Sequence, residues 1–356
     1  MTFSLDNHSI GIMVLTKQLK FDYIAWLLFI RIIIYIITSF FITGDDYKIG
    51  DCYSVVQCLL AYLIGVNYKK DFKYIYIALL VFSIFICLEI FYIPIKNNVN
   101  FFPVPNSPSK RYMVLPMGKH NYLTCILIPL YLLLSNCYIK SKKYVFLYTI
   151  IIGLAIIVTS SRWGLIVFLL FTFINNLNII KELFNKKELN TKLLIIVTII
   201  LLLILFLTPL KEILNNIISR YSSSIFSSRL IIFKQSFELF LQHPLFGRTA
   251  YSYQVYDAND AHNFILESLI QTGIVGTIIF LYCLFLVIKK YCKISNNNIR
   301  KGYLLFISSY LFQGLAEVNL LGLRSDFFFW TIIAYGIAQK NNYQFNDNCD
   351  KYNLIN

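Results

Sequence analysis

The sequence is short of charge. Only 14% of its 356 residues are Asp, Glu, Lys or Arg, whereas a soluble domain carries roughly a quarter. With 58% hydrophobic residues and a mean hydropathy of +0.64, the chain has an apolar excess that only lipid solvates. No Lys/Arg-rich stretch carries interleaved polar and aromatic residues. A net charge of +14 therefore does not indicate a nucleic-acid partner. The eight cysteines include no C-x-x-C pair and no zinc spacing, and most (Cys58, Cys87, Cys125, Cys137, Cys283) stand inside apolar runs. Neither a disulfide framework nor a metal site is expected, and Asp257 with Asp260 reads as a solvated loop pair. No small-residue cleavage site follows the first apolar run, so that run reads as a retained helix and not a signal peptide. There is no internal repeat of the kind many transporters show.

What the chain does have is apolar runs of membrane length. A helix crossing about 30 Å of hydrocarbon needs about 20 such residues, fewer where neighbouring helices shield it. Ten runs qualify: 22–42, 51–67, 74–94, 121–138, 144–160, 163–180, 193–210, 263–288, 303–320 and 326–339. The expected fold is therefore all-α, a polytopic membrane bundle of about ten helices forming one integral membrane domain over 1–356. Ser160-Ser161-Arg162 breaks the stretch 144–180 into a hairpin. Placing the N-terminus inside gathers nineteen basic residues, nearly all lysines, into short inner segments, as the positive-inside rule requires. Both termini then lie in the cytoplasm. The buried charges Arg31, Glu89 and Glu317 read as pairing within the bundle.

Arginine behaves differently from lysine. Of eight, Arg300 is inside and Arg31 lies within the first span, while Arg111, Arg162, Arg220, Arg229, Arg248 and Arg324 all fall on the outer face. Guanidinium grips phosphate with a planar fork of donors and keeps its charge, which lysine's role in orientation does not require. Two outer loops are long. Residues 95–120, rich in proline, read as irregular structure. The second, 211–262, contains an amphipathic helix over 228–242, with apolar positions 230, 231, 233, 237, 240 and 241, stopped by Pro244 and Gly247. It is expected on the membrane surface or over the mouth of the bundle. Ser160-Ser161-Arg162, Ser227-Ser228-Arg229 and His262-Asn263 each stand at a helix start. Unpaired N–H groups and the helix dipole make such a start an anion site; ordinary serine capping is the plainer alternative.

His262-Asn263, nine residues, then Gly273-Ile274-Val275-Gly276 reads H-N-x9-G-x-x-G, and His243-Pro244-Leu245-Phe246-Gly247 stands just upstream. With Ser160-Ser161-Arg162-Trp163-Gly164, these motifs closely resemble the bacterial O-antigen polymerase and ligase superfamily, over about residues 145–290. The resemblance implies glycosyl transfer from undecaprenyl-pyrophosphate-linked glycans at the outer face of the bacterial inner membrane. It implies no cofactor or metal, and a chain-length regulator and a flippase as companions. Arg162 and Arg229 would clamp the pyrophosphate, with Arg248 and Asn263 as further substrate contacts. His262 would stand at the reacting acceptor hydroxyl, and Glu267, one turn on, either orients His262 or is itself the base. Gly273 and Gly276 read as helix-packing residues. A repeat-unit polymerase is the leading function. A ligase transferring the chain to lipid A core, or a flippase for the same units, are the alternatives.

Overall fold

The computed structural model describes residues 20–42, 53–68, 72–98, 114–115, 118–159, 161–185, 226–248, 261–316 and 326–338. The expected span 193–210 lies outside the described residues, as do Ser160, Arg111, Arg220, Arg324, Asp257, Asp260 and Glu317. Among the described residues ten helices form: α1 (Tyr23–Ile42), α2 (Tyr53–Asn67), α3 (Phe72–Lys96), α4 (His120–Cys137), α5 (Lys142–Val158), α6 (Arg162–Asn185), α7 (Phe226–Gln242), α8 (Phe264–Cys292), α9 (Asn297–Gly314) and α10 (Asp326–Ala338). Nine of them overlap expected spans and α7 overlaps the expected amphipathic helix. The loop 95–120 is not wholly irregular. Val114–Leu115 (β1) pairs antiparallel with Gly118–Lys119 (β2), leading straight into α4. Within α3 and α8, Lys73–Lys96 and Phe264–Cys292 are long and apolar enough to cross a membrane.

The chain divides into two compact units. One contains α3 to α6 and residues 305–316. Its core is α4, buried without interruption from Leu123 to Leu134, as befits a helix that is apolar all round. The Tyr148 hydroxyl of α5 shares a 2.7 Å hydrogen bond with Ser83 of α3. The other unit contains α1, α2, α8, α10, most of α7 and the start of α9. There α1 and α8 run antiparallel, tied at matching levels. At one end Lys290 donates to Asp22 at 2.5 Å, and midway the Arg31 guanidinium lies 4.5 Å over the Phe280 ring. At the other end the Thr38 hydroxyl donates to the Phe246 carbonyl at 3.0 Å.

Asp22 precedes α1 and caps it, accepting from the Ala25 N–H at 3.1 Å while also accepting from the Tyr62 hydroxyl at 2.9 Å. Burial acts to raise its pKa, but the Lys290 ammonium and these donors outweigh it and hold the carboxyl below its usual value. A carboxylate with a depressed folded pKa stabilises above its unfolded pKa of about 3.9, and the contribution fades as pH falls through the folded value. Asp22→Asn is therefore expected to melt below wild type at pH 7, with the gap closing below about pH 4. Thermal unfolding in detergent across this range checks it; a gap that stays constant from neutral to acid pH contradicts the assignment.

Candidate functional site

The motif H-N-x9-G-x-x-G opens α8. Asn263 caps the helix in extended geometry, its side chain accepting from the N–H groups of Ile265 (2.9 Å) and Leu266 (3.1 Å). His262, immediately before, has φ +48°, the left-handed region that few side chains other than Asn, Asp and His adopt. Glu267, one turn into α8, is 3% exposed. One carboxylate oxygen accepts from the Ala261 N–H at 2.9 Å and the other from the Gln271 side-chain amide at 2.8 Å. Cap and carboxylate thus hold the residues on either side of His262, and the half-buried imidazole is carried on a fixed one-residue turn. The structure brings His262, Asn263 and Glu267 together.

Nine residues on, the helix breaks. Gly273 takes φ +63° with ψ −167°, and the turn after α7 fills the gap. In an unbroken helix the Ile274 N–H would donate to the Ile270 carbonyl. Here it donates to the Pro244 carbonyl at 2.9 Å, and the Ile270 carbonyl accepts instead from the Arg248 N–H at 2.6 Å. Val275 N–H donates to Leu245 at 3.2 Å. The turn thus completes one opened rung of the helix ladder, giving partners to the Ile274 N–H and the Ile270 carbonyl that the break separates. Two glycines permit the approach. A Cβ on Gly247 (φ +79°) would stand 2.5 Å from the Thr272 nitrogen, and one on Gly273 would collide with the Leu245 and Phe246 backbone. This corrects the reading of Gly273 as a helix–helix packing residue: its neighbour is a turn, and its conformation is one only glycine adopts freely. Gly276 likewise makes room for the Thr272 side chain of its own helix. Hydropathy runs unbroken through Gly273, which is why the break escaped it. The polar cluster Glu267, Ser268, Gln271 and Thr272 just before it, all buried, was the available signal.

Gly273→Ala is expected to cost about 3 kcal/mol, the upper range for a left-handed non-glycine residue, because the turn must also withdraw. Gly153→Ala, where an added Cβ meets only the Phe168 ring at 3.1 Å, should stay near wild type. Equal melting temperatures for the two variants would show that the break is not sterically locked.

Arg248 is half-buried and pinned through this turn, its guanidinium donating to Gln242 at 3.2 Å. Arg162 belongs to the other unit, as the first residue of α6. There Ser161 caps the helix, its hydroxyl accepting from the Gly164 N–H at 3.2 Å. Trp163 stacks on Phe312 (5.2 Å between centroids) and donates its indole N–H to the Phe312 carbonyl. Gly164 lies where a Cβ would press on Thr124 of α4. Each member of Ser161-Arg162-Trp163-Gly164 other than the arginine thus fixes the helix start, and the half-buried Arg162 is the residue they position. Arg229 lies in the first turn of α7; its side chain is outside the described residues. The preceding Ser227 and Ser228 fall within that turn, not ahead of it.

Among the described residues no group of His, Cys, Asp and Glu is arranged to hold a metal ion. Residues 147–281 match the family model described as O-antigen ligase. That stretch includes Arg162, Arg229, Arg248, His262, Glu267 and both glycines of the interlock. No curated protein matches the chain.

Proposed function

We propose that the chain, whose residues 147–281 match the family model described as O-antigen ligase, is a polysaccharide repeat-unit polymerase, a glycosyltransferase of the bacterial inner membrane. In this reading the chain is one integral membrane domain with ten spans, both termini in the cytoplasm and 211–262 as its large outer loop. It transfers a glycan from undecaprenyl pyrophosphate to the terminal hydroxyl of an incoming lipid-linked repeat unit. The observation that carries it is the fixed presentation of His262. A neutral imidazole held between the Asn263 cap and the Glu267-bound Ala261 is suited to take the acceptor hydroxyl proton as the new glycosidic bond forms. The carrier departs as its pyrophosphate. Charge then develops on the oxygen that leaves the sugar, and the guanidiniums of Arg162 and Arg229 would stabilise it. Arg248 and Asn263 are the further substrate contacts. Chain-length control and delivery of units by a flippase are the companion activities it requires.

The family's description favours a second reading, a ligase that transfers the finished chain to lipid A core. Purified protein given only lipid-linked repeat units separates the two. A polymerase converts them into a ladder of lipid-linked oligomers; a ligase leaves them unchanged until a lipid A core acceptor is added. Failure in both assays would remove the glycosyltransferase reading.

A further inference from the structure

The residues of α7 divide into three stripes. Ile232, Ser236 and Phe240 are buried, with Ile232 and Phe240 packed on Ala261 and Ile270. Lys234, Glu238 and Gln242 are exposed and polar, with Lys234 and Glu238 paired at 4.0 Å. Between them Phe237 and Leu241 are about half exposed, at 49% and 56%, and the line continues through Leu245 and Phe246 in the turn. The apolar residues expected on one face are thus split between the protein and an outward stripe. A lone stripe of this kind does not say what covers it; its continuation does.

The turn runs directly into the apolar belts of α1 and α8. Val275 donates to the Leu245 carbonyl and Thr38 to the Phe246 carbonyl, so the turn sits at the head of both helices. Below it α8 exposes Ile274, Ile278, Leu281 and Phe285, and α1 exposes Ile37, Ile33, Ile30 and Trp26. Each set repeats at helical spacing and forms one apolar face. From Gly273 to Cys292, at 1.5 Å per residue, α8 extends about 29 Å, the hydrocarbon thickness of a bilayer at about 30 Å. A spanning α8 with its far end at Cys292 would reach the other hydrocarbon boundary at about Gly273, with the interlocked turn at the same depth.

We infer that α7 is an in-plane interfacial helix, with Phe237, Leu241, Leu245 and Phe246 sunk in the leaflet's acyl boundary and Lys234, Glu238 and Gln242 facing water. The partner is the lipid bilayer itself, and the inference rests on reading α8 as a spanning helix. A surface helix of this type buries its apolar side several ångströms into the headgroup boundary. Here its depth is set by the glycine lock. The neighbouring buried stripe of the same helix, Ile232 and Phe240, packs on Ala261, the residue before His262.

The test uses the full chain in vesicles of phosphatidylethanolamine and phosphatidylglycerol, with a fluorescent amino acid incorporated singly at 234, 237, 241 or 278. Lipids with a nitroxide near the headgroup should quench positions 237 and 241 several-fold more than 234, while aqueous iodide does the reverse. Position 278 should be quenched best by a nitroxide deep in the acyl chain. If 278 is lipid-exposed but 237 and 241 are as open to iodide as 234, α7 does not lie in the interface and the inference falls. If 278 itself is open to iodide, the spanning reading of α8 fails and takes the inference with it.

Discussion

Replacing His262 by asparagine is expected to lower polymerisation of lipid-linked repeat units by about 10²–10⁴-fold, the usual contribution of a positioned general base, with thermal stability near wild type. Asparagine is the informative substitute because it tolerates the left-handed backbone that His262 occupies at φ +48°. Alanine would remove the imidazole and strain the turn together, mixing two losses. Wild-type turnover by the asparagine variant would eliminate His262 as the base. The companion variant is Glu267→Gln. Both carboxylate oxygens of Glu267 already accept, one from the Ala261 N–H and one from Gln271, so its geometry is that of a residue that positions His262. Glutamine keeps one acceptor for Ala261, and the Gln271 amide can reverse to meet the new NH2. Glu267→Gln should therefore lose less activity than His262→Asn and keep the pH profile of the wild type. A loss equal to that of His262→Asn, with the pH dependence abolished, would make Glu267 the base instead.

These assignments differ in how far residue patterns alone could reach. Helix positions were legible because a run of apolar residues is long, and a few ambiguous residues at either end do not change its existence. The nine described helices that overlap expected runs accordingly begin and end within a few residues of expectation, apart from α6, which runs five residues further to Asn185, and α9, which starts at Asn297 and ends at Gly314. The helix start at His262-Asn263 was legible for a similar reason, since the signal is local. What could not be read was any feature made by two distant segments. Hydropathy is blind to the sign of φ, so Gly273 and Gly247 looked like separate small residues and not the two halves of one lock. The division of the α7 stripes could not be read because periodicity marks which residues are apolar, not which of two apolar surroundings each one meets. Phe240 meets Ala261 and Ile270, whereas Phe237, three residues earlier, faces outward.

Arg31 is the case where burial and chemistry conflict most sharply, and its replacement should have the largest effect on stability. The side chain is 0% exposed, halfway along α1. None of its three guanidinium nitrogens has a hydrogen-bond partner among the described residues. Two interactions offset the cost of burying the charge. The guanidinium lies 4.5 Å over the Phe280 ring, a contact worth about 2 kcal/mol when desolvated. It is also electrostatically coupled to Asp326, the first residue of α10, whose carboxylate accepts from the Cys58 thiol at 3.3 Å. Side chains of four helices, α1, α2, α8 and α10, therefore gather around two buried charged groups, the Arg31 guanidinium and the Asp326 carboxylate. Removing one member leaves the other uncompensated in a low-dielectric interior, which costs about 3–5 kcal/mol. Arg31→Met and Asp326→Asn should each lose that much. The double variant, with neither charge to bury, should recover most of it, since replacing a buried pair by neutral groups is often close to neutral. Unfolding of the three variants in detergent supplies the cycle. Losses that simply add would mean that the two charges do not compensate each other. A stabilised Arg31→Met would mean that the guanidinium is an uncompensated burden, retained for a reason other than holding the helices together.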